Sequence, residues 1–235
     1  MSDYSGREAI VTGGTGALGR AVVKALLDAG AAACRVPYIH EGEAASFPFK
    51  TDPRVKLAGP VDLADEEQVA KFYAGSGALW ASIHLAGGFA MKPAAQSGKA
   101  DFQAMTAMNL LTCQLCCANA VKAMKRAGKG GRIVNVAART ALEPRSGAGM
   151  AAYAASKAAV AAFTQALSSE VAGDGIWVNA VAPSILDTPA NRAAMPKADY
   201  SLWPKVEEVA ATILFLASPE NRVTRGAVVP VYGKS

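Results

Sequence analysis

Residues 12–19 read TGGTGALG, and this glycine-rich turn decides the fold. It follows an apolar stretch at 8–12 (EAIVT) that is typical of a strand, and it opens a stretch at 17–30 that is typical of a helix ending at Gly30. Glycines at 14, 16 and 19 match the dinucleotide-binding fingerprint, in which bare backbone lets a pyrophosphate approach the helix N-terminus. Such a turn can also serve only as a tight corner between a strand and a helix. Its place after the first strand favours dinucleotide binding.

Beyond this turn, strand-like and helix-like stretches alternate to the end of the chain. The predicted strands are 8–12, 32–39, 55–59, 79–88, 131–138, 177–184 and 226–232. The predicted helices are 17–30, 65–73, 99–127, 150–172 and 206–218. Apolar strands that alternate with helices indicate a parallel sheet buried on both faces. We therefore expect an α/β fold: a doubly wound, Rossmann-type parallel sheet of about seven strands with helices on both faces, in a single domain spanning residues 1–235.

The longest irregular stretches are 40–54 and 184–204. Loops of that length in a compact fold are often functional. Ligands of doubly wound sheets bind at the carboxyl ends of the strands. The motifs considered below all fall at those ends, so we expect the functional site there.

The composition suits one globular domain, since 51% of the 235 residues are hydrophobic and 18% are charged. The formal net charge of +5 is scattered, so we expect no nucleic-acid partner. Its densest group falls where a predicted helix ends and cations meet the helix dipole: Lys122, Lys125, Arg126, Lys129 and Arg132. The strand at 8–12 leaves no room for a signal peptide after Met1, and no uninterrupted apolar stretch approaches the ~20 residues of a bilayer span. We expect a cytoplasmic protein with no membrane partner.

The four cysteines are Cys34 and, in one cluster, Cys113, Cys116 and Cys117. The Cys-x-x-Cys-Cys pattern is compatible with a metal or redox site. It lies in an apolar helix, however, and the two histidines, His40 and His84, are far away in sequence. Buried hydrophobic cysteines are the favoured interpretation, so no metal site is predicted. Reduced thiols fit a reducing compartment.

Tyr153 and Lys157 stand four residues apart in a predicted helix, so their side chains share one helix face. A nearby ammonium favours a phenolate, so we expect Lys157 to lower the pKa of Tyr153 from its usual ~10. The lysine could also reach a ribose hydroxyl. Taken alone, this spacing fits an ordinary surface pair as well as a proton-transfer device.

Together these motifs resemble the short-chain dehydrogenase/reductase family over essentially the whole chain. The resemblance rests on the TGGTGALG turn, on LAGG after the fourth strand (85–88), on Asn109 in the following helix and on Tyr153-x-x-x-Lys157. It implies an NAD(P)-dependent oxidoreductase that transfers a hydride between nicotinamide and a small substrate. Members of this family commonly assemble through their long helices, so a homodimer or homotetramer is expected.

The resemblance also implies roles for individual residues. Tyr153 would be the general acid/base, Lys157 its pKa-lowering and ribose-holding partner, and Asn109 the support of a proton-relay water. The residues that would contact the cofactor, besides Tyr153 and Lys157, are Gly13, Thr15, Gly16, Ala17 and Leu18 at the pyrophosphate, Asp62 and Leu63 at the adenine, Ala86 and Gly87 at the ribose, and Pro183, Ile185 and Thr188 at the nicotinamide.

Three positions depart from the family pattern. The stretch 84–87 (HLAG) stands where Asn-Asn-Ala-Gly is usual. The second strand ends at 36–38 (VPY), without the acid that would bind ribose hydroxyls and repel a 2′-phosphate. We therefore expect NADP, or dual use of NAD and NADP. The third departure is the position of the catalytic serine.

That serine position depends on how the alignment is counted. Counted forward from the strand IVNV it falls at Ala138, and counted back from Tyr153 it falls at Thr140. We favour Ala138, because a strand fixes its own register whereas the following loop absorbs insertions. An alanine there, together with DTPANRAAMPKAD (187–199), resembles the dihydropteridine reductase-like branch of the family. Three functions stay open: reduction of a quinonoid dihydropterin, reduction or oxidation of another carbonyl or alcohol, and dinucleotide sensing without catalysis.

Overall fold

Seven strands form one parallel sheet in the computed structural model, which describes residues 3–235. They are β1 (Glu8–Thr12), β2 (Ala33–Pro37), β3 (Val55–Ala58), β4 (Leu79–His84), β5 (Gly131–Val136), β6 (Ile176–Pro183) and β7 (Val228–Val231). Their order in the sheet is β3-β2-β1-β4-β5-β6-β7, and every neighbouring pair is parallel. The predicted doubly wound sheet is confirmed, with strand ends that shift by a few residues.

Nine α-helices connect these strands within the described residues. They are α1 (Ala17–Asp28), α2 (Glu41–Ala45), α3 (Glu66–Ala74), α4 (Lys99–Met105), α5 (Thr112–Ala127), α6 (Arg139–Leu142), α7 (Ala151–Glu170), α8 (Pro189–Ala194) and α9 (Val206–Ala217). The five predicted helices are all present. The stretches predicted to be irregular contain α2 and α8, whose few residues give a weak periodic signal in the sequence.

Both faces of the sheet are buried under helices. Along β1, Ile10 belongs to one core cluster, whereas Ala9 and Val11 belong to the other, because successive strand residues point to opposite faces. Helices α1 and α9 pack on the face of Ala9 and Val11, and α3, α5 and α7 pack on the face of Ile10. This two-sided burial explains the continuous apolar character of the strands.

The longest helical run joins α4 and α5 through a π-helical turn, Thr106–Leu111. By length and composition, the 29-residue run from Lys99 to Ala127 could cross a bilayer, since an 18-residue apolar stretch within it has a mean hydropathy of 1.2. In this fold, 44% of that apolar stretch is buried, and Cys117, Ala120 and Met124 belong to the core beneath the sheet. The run is therefore a core helix of the domain. A π-helical turn within an α-helix is frequently found at a functional site.

One member of the basic group singled out in the sequence is not on the surface. Arg132, at the start of β5, is buried, and its guanidinium lies 4.9 Å from the ring centroid of Trp80 and 5.5 Å from that of Trp177. Its Nε and Nη2 atoms donate to the carbonyl oxygens of Ser218 and Asn221. Arg132 thus connects β5 to the segment after α9. It is therefore not part of a basic surface formed by the group.

The sheet reverses its strand order between β1 and β4, and the turn after β1 packs closely against the segment after β4. Gly13 has φ +65°, and a Cβ built there would lie 2.7 Å from the backbone nitrogen of Ala86. A side chain at position 13 would therefore be strained and would also push these two segments apart. The crevice at the carboxyl edge opens between them.

Replacing Gly13 tests this packing. Gly13→Ala is expected to lower the free energy of unfolding by about 1–3 kcal/mol, because it adds a positive-φ penalty and a backbone clash. Chemical denaturation measures the loss. The matched control is Gly42→Ala in α2, where a Cβ meets nothing within 4 Å and stability should hold or rise. Equal stability of the two variants would contradict the close approach.

Candidate active site

The glycine turn leads directly into α1, and no side chain caps this helix. Gly16 is the N-cap residue and makes no side-chain cap hydrogen bond. The backbone at Gly16 and Ala17 is exposed, Thr15 and Leu18 are half-buried, and Gly13 lies at the base of the turn. Uncapped N–H groups at a helix N-terminus form a site for an anionic group such as a pyrophosphate.

The end of β2 carries no acid, as the sequence indicated, but α2 brings one to the glycine turn. The Thr15 hydroxyl donates to the Glu43 carboxylate at 3.2 Å. Arg20 stands on the other side of Thr15, where its Nε donates to the Thr15 carbonyl oxygen and its Nη2 to the Ser46 hydroxyl. Both charge signs therefore lie beside the turn. Sequence reasoning missed Glu43 because it belongs to a stretch predicted to be irregular.

The residues expected at the adenine lie after β3. Asp62 is exposed, and its carboxylate accepts a hydrogen bond from the backbone N–H of Ala64 at 2.8 Å. Leu63 is half-buried and packs against the core cluster beneath the sheet. Both stand at the carboxyl edge, and the hydrogen bond of Asp62 also fits a simple turn-forming role.

Gly87 brings the segment after β4 close to both Asn109 and Lys157. A Cβ built on Gly87 would lie 2.6 Å from Asn109 Oδ1 and 3.5 Å from Lys157 Nζ. Its neighbour Ala86 has its N–H within 3.4 Å of the Thr12 hydroxyl, at the end of β1. Only a residue without a side chain allows this approach, so the glycine assembles three segments at one point.

Asn109 lies in the π-helical turn and is 1% exposed. Its Oδ1 accepts from the Gly88 N–H at 3.0 Å, and its Nδ2 donates to the Gly88 carbonyl and to the Ser156 hydroxyl, each at 3.1 Å. Ser156 in turn donates to the Tyr153 carbonyl oxygen at 2.8 Å. Asn109 thus ties the loop after β4 to α7. Ser156 was not singled out in the sequence, since a serine in a helix carries no signal by itself.

Lys157 is buried on α7, with its ammonium directed at the end of β5. Nζ donates to the Val136 carbonyl oxygen at 2.8 Å, and the side chain is 6% exposed. Burial disfavours the charged form and lowers the pKa of Lys157 to about 8. The group is therefore mostly an ammonium at neutral pH, although it is easier to neutralise than a surface lysine.

Tyr153 stands one helical turn before Lys157, with its ring against an exposed aromatic side chain. The rings of Tyr153 and Phe89 meet edge to face, with centroids 5.0 Å apart. Burial raises the pKa of Tyr153 to about 12. The expectation that Lys157 lowers this pKa is therefore wrong for this arrangement, because desolvation of the phenol dominates while the ammonium is bonded to Val136. The phenol stays protonated at neutral pH.

The two candidate positions for a second hydroxyl differ in their surroundings. Ala138 has extended backbone angles and continues the direction of β5 to the start of α6. Thr140 lies within α6, and its buried Oγ1 has no hydrogen-bond partner among the described residues. Its methyl side lies near Gly147. The Thr140 hydroxyl is therefore not bonded to Tyr153 in this structure.

The residues expected at the nicotinamide follow β6. Pro183 is its last residue and is buried, whereas Ile185 is 42% exposed. The hydroxyl of Thr188 accepts from the Asn191 N–H at 3.2 Å and so caps α8. The loop 184–204 is held by the Asp187–Arg192 ion pair at 2.6 Å.

Together these features fit a dinucleotide. Gly13 and Gly87 let the turn after β1 and the segment after β4 pack closely together, and the uncapped N-terminus of α1 follows that turn. The protonated phenol of Tyr153 and the buried ammonium of Lys157 lie along the same edge of the sheet. Such a cleft can hold a negatively charged cofactor and deliver a proton beside it.

Comparison with known proteins identifies the family of the chain. The short chain dehydrogenase family model matches residues 7–199. Galactitol 2-dehydrogenase of Rhizobium johnstonii is 32% identical over 244 aligned residues, which cover 96% of this chain and 93% of that enzyme.

Solved structures agree at the level of the fold. A short-chain type dehydrogenase/reductase from Mycobacterium ulcerans superposes with a TM-score of 0.88 at 23% identity, covering 99% of this chain and 90% of that one. The structure of ElxO with NADP bound gives a TM-score of 0.86 at 24% identity, covering 99% and 98%. On the family match and the 32% identical relative, the chain belongs to the short chain dehydrogenase family and is an oxidoreductase.

Proposed function

We propose that the protein is an NAD(P)-dependent reductase of a small substrate, with Tyr153 as the general acid. The observation that carries this proposal is the placement of Tyr153 one helical turn from buried Lys157, whose ammonium donates to the end of β5 at the carboxyl edge of the sheet. When bound, the nicotinamide supplies or accepts the hydride. Gly13, Gly16 and the first turn of α1 hold its pyrophosphate.

The protonation state favours reduction over oxidation at neutral pH. A phenol whose pKa is about 12 is available to donate a proton to an oxygen or nitrogen that gains charge. In the opposite direction the same group must first lose its proton, so oxidation should need a higher pH. Lys157 would hold a ribose hydroxyl of the bound cofactor, and it carries its positive charge one helical turn from Tyr153. Asn109 positions the loop after β4 against α7.

The surroundings of Tyr153 favour a substrate with an apolar or aromatic part. Phe89 and Met91 are 59% and 64% exposed, and Met91 lies near Gly149 at the start of α7. Ala138 adds no hydroxyl to polarise a carbonyl. A substrate whose developing negative charge is spread over a ring has less need of a hydrogen-bond donor at position 138. This reasoning also supports the dihydropteridine reductase-like branch as the second candidate, although the relatives described above are named for other activities.

A nicotinamide oxidation assay tests the function directly. Purified protein is supplied with NADH or NADPH and a panel of quinonoid dihydropterins, quinones, ketones and alcohols. Turnover of at least one class supports the proposal and identifies the branch. Tight nicotinamide binding without turnover of any class would favour a dinucleotide-sensing protein instead.

We further propose that the protein is cytoplasmic and acts as a homodimer or homotetramer.

The charges at the glycine turn support dual use of NAD and NADP. A 2′-phosphate near Thr15 would meet the Glu43 carboxylate, which repels it, and the Arg20 guanidinium, which attracts it. The ElxO structure holds NADP, which is consistent with the expected use of NADP, although ElxO is only 24% identical to this chain. We therefore expect the preference between the two cofactors to be modest.

Removing the phenol tests the mechanism. Tyr153→Phe should lower turnover about 10²–10⁴-fold, as expected for the loss of a general acid, while nicotinamide binding persists. Steady-state kinetics and fluorescence titration with NADH measure the two effects. Tyr4→Phe is the control, because that buried hydroxyl bonds only the Leu214 carbonyl in the core. Near-normal turnover by Tyr153→Phe would exclude the proposed role.

Two opposite substitutions test cofactor choice. Glu43→Gln should strengthen NADPH binding relative to NADH about fivefold, and Arg20→Gln should weaken it by a similar factor, as for single charges near a protein surface. Dissociation constants for both cofactors give the ratios. Glu66→Gln on α3 is the control for a change in net charge. A strong NADH preference that neither substitution alters would show that these residues do not face the ribose.

The role of Thr140 can be tested in the same assay. Thr140→Ala should change turnover less than about tenfold, which is below the ~1.4 kcal/mol that a useful transition-state hydrogen bond would exceed. Thr140→Val keeps the shape of the side chain and separates loss of the hydroxyl from loss of packing. A hundredfold loss in both variants would assign the missing serine function to Thr140.

A further inference from the structure

A histidine and two cysteines that are far apart in sequence meet in the core beneath the candidate active site. His84 is the last residue of β4, and Cys113 and Cys117 lie one turn apart on the inner face of α5. One ring nitrogen of His84 and the two sulfurs are within 4.8 Å of one another, and all three residues are buried. His84 Nδ1 is 3.4 Å from Cys117 Sγ.

A fourth donor atom completes the group. Asn135 Oδ1, on β5, lies 2.8 Å from His84 Nδ1 and 3.4 Å from Cys117 Sγ. The Asn135 amide nitrogen donates to Thr164 at 2.9 Å, which turns Oδ1 toward the histidine and the thiol. Asn135 Oδ1 therefore lies against the imidazole and one of the two thiols of the group.

The other ring nitrogen of His84, Nε2, also has hydrogen-bond partners. His84 Nε2 lies 2.8 Å from the Ser82 hydroxyl and 3.2 Å from the Tyr73 hydroxyl. In this structure Nδ1 carries a proton and donates it to Asn135 Oδ1. Both hydroxyls can accept a hydrogen bond, so on metal binding the ring proton can move to Nε2, which leaves the Nδ1 lone pair for the metal. Histidines that bind metals usually have such a partner on the other nitrogen, because it fixes the ring and its tautomer.

We propose that His84, Cys113 and Cys117, with Asn135, bind a zinc ion. Zinc prefers thiolate and imidazole donors in a tetrahedron with bonds of about 2.0–2.3 Å, which places the donor atoms about 3.5 Å apart. The donor atoms of His84, Cys113 and Cys117, which lie within 4.8 Å of one another, would contract toward that geometry, and Asn135 Oδ1, now 2.8 Å from His84 Nδ1, would move slightly away. On binding, the two thiols release their protons to solvent and the imidazole stays neutral. The dication and two thiolates then sum to zero charge, so no net charge is buried.

The position of the site suggests what zinc would do here. Cys113 stands four residues after Asn109, one turn deeper on the same helix. Zinc would join the start of α5 to β4 and β5 at the level just below Gly87. It would stabilise the folded chain and fix the π-helical turn that carries Asn109. Zinc binding would not require the oxidoreductase chemistry proposed above.

The test is the metal content of the whole protein. The chain is produced without a polyhistidine tag in zinc-supplemented medium, dialysed, and analysed by elemental mass spectrometry. We expect about one zinc per chain in the wild type and less than about a tenth of that in the Cys113→Ala, Cys117→Ala double variant. Replacement of zinc by cadmium should produce a thiolate-to-metal charge-transfer band in the ultraviolet that the double variant lacks.

Two further variants make the result decisive. Cys34→Ala removes a buried thiol on β2, outside the cluster, and should keep its zinc. His84→Asn installs the residue usual in the family and should fold while its zinc dissociation constant rises at least about tenfold. If the double variant does not fold, the zinc affinity of His84→Asn tests the proposal instead. Wild-type protein without zinc, or equal zinc loss in Cys34→Ala and the double variant, would overturn the proposal.

Discussion

The whole site depends on two backbone segments that approach closely at the switch point of the sheet. The turn after β1 and the segment after β4 meet at Gly13 and Ala86, where a Cβ would be 2.7 Å from a backbone nitrogen. The next residue, Gly87, allows Asn109 and Lys157 to reach the same edge. Since interiors are close-packed, one added side chain here would displace strands as well as ligand-binding residues. Fold and function therefore share one steric constraint.

Burial, rather than attraction between charges, shifts the pKa values of Tyr153 and Lys157. It raises the pKa of Tyr153 to about 12, so ionising the phenol costs roughly 3 kcal/mol more than in water. It also lowers the pKa of Lys157 to about 8, because the ammonium gains only the Val136 carbonyl in exchange for water. Desolvation thus disfavours both charged forms. Both groups are thereby moved toward their neutral forms, and the proton donation proposed for Tyr153 draws on its neutral phenol.

Much of the fold could be predicted because its signals are local. Apolar strands and the glycine turn each act within a few residues, and every predicted strand and long helix is present. The short helices α2 and α8 escaped prediction because a few residues show too little periodicity. The shift of the Tyr153 pKa was predicted in the wrong direction, since helix spacing gives the proximity of Lys157 but not the burial of either group. The assigned cofactor contacts remain predictions.

The sequence by itself determined the succession of elements along the chain: which segments are strands, which are helices, and which positions require glycine. These features follow from side-chain periodicity and from the backbone freedom of single residues. Only the tertiary structure decided which distant groups meet. Glu43 reaches Thr15, Phe89 covers Tyr153, and His84 joins Cys113 and Cys117, although each pair is separated by many residues. Such contacts depend on strand register and helix packing across the sheet, which no local pattern of residues encodes.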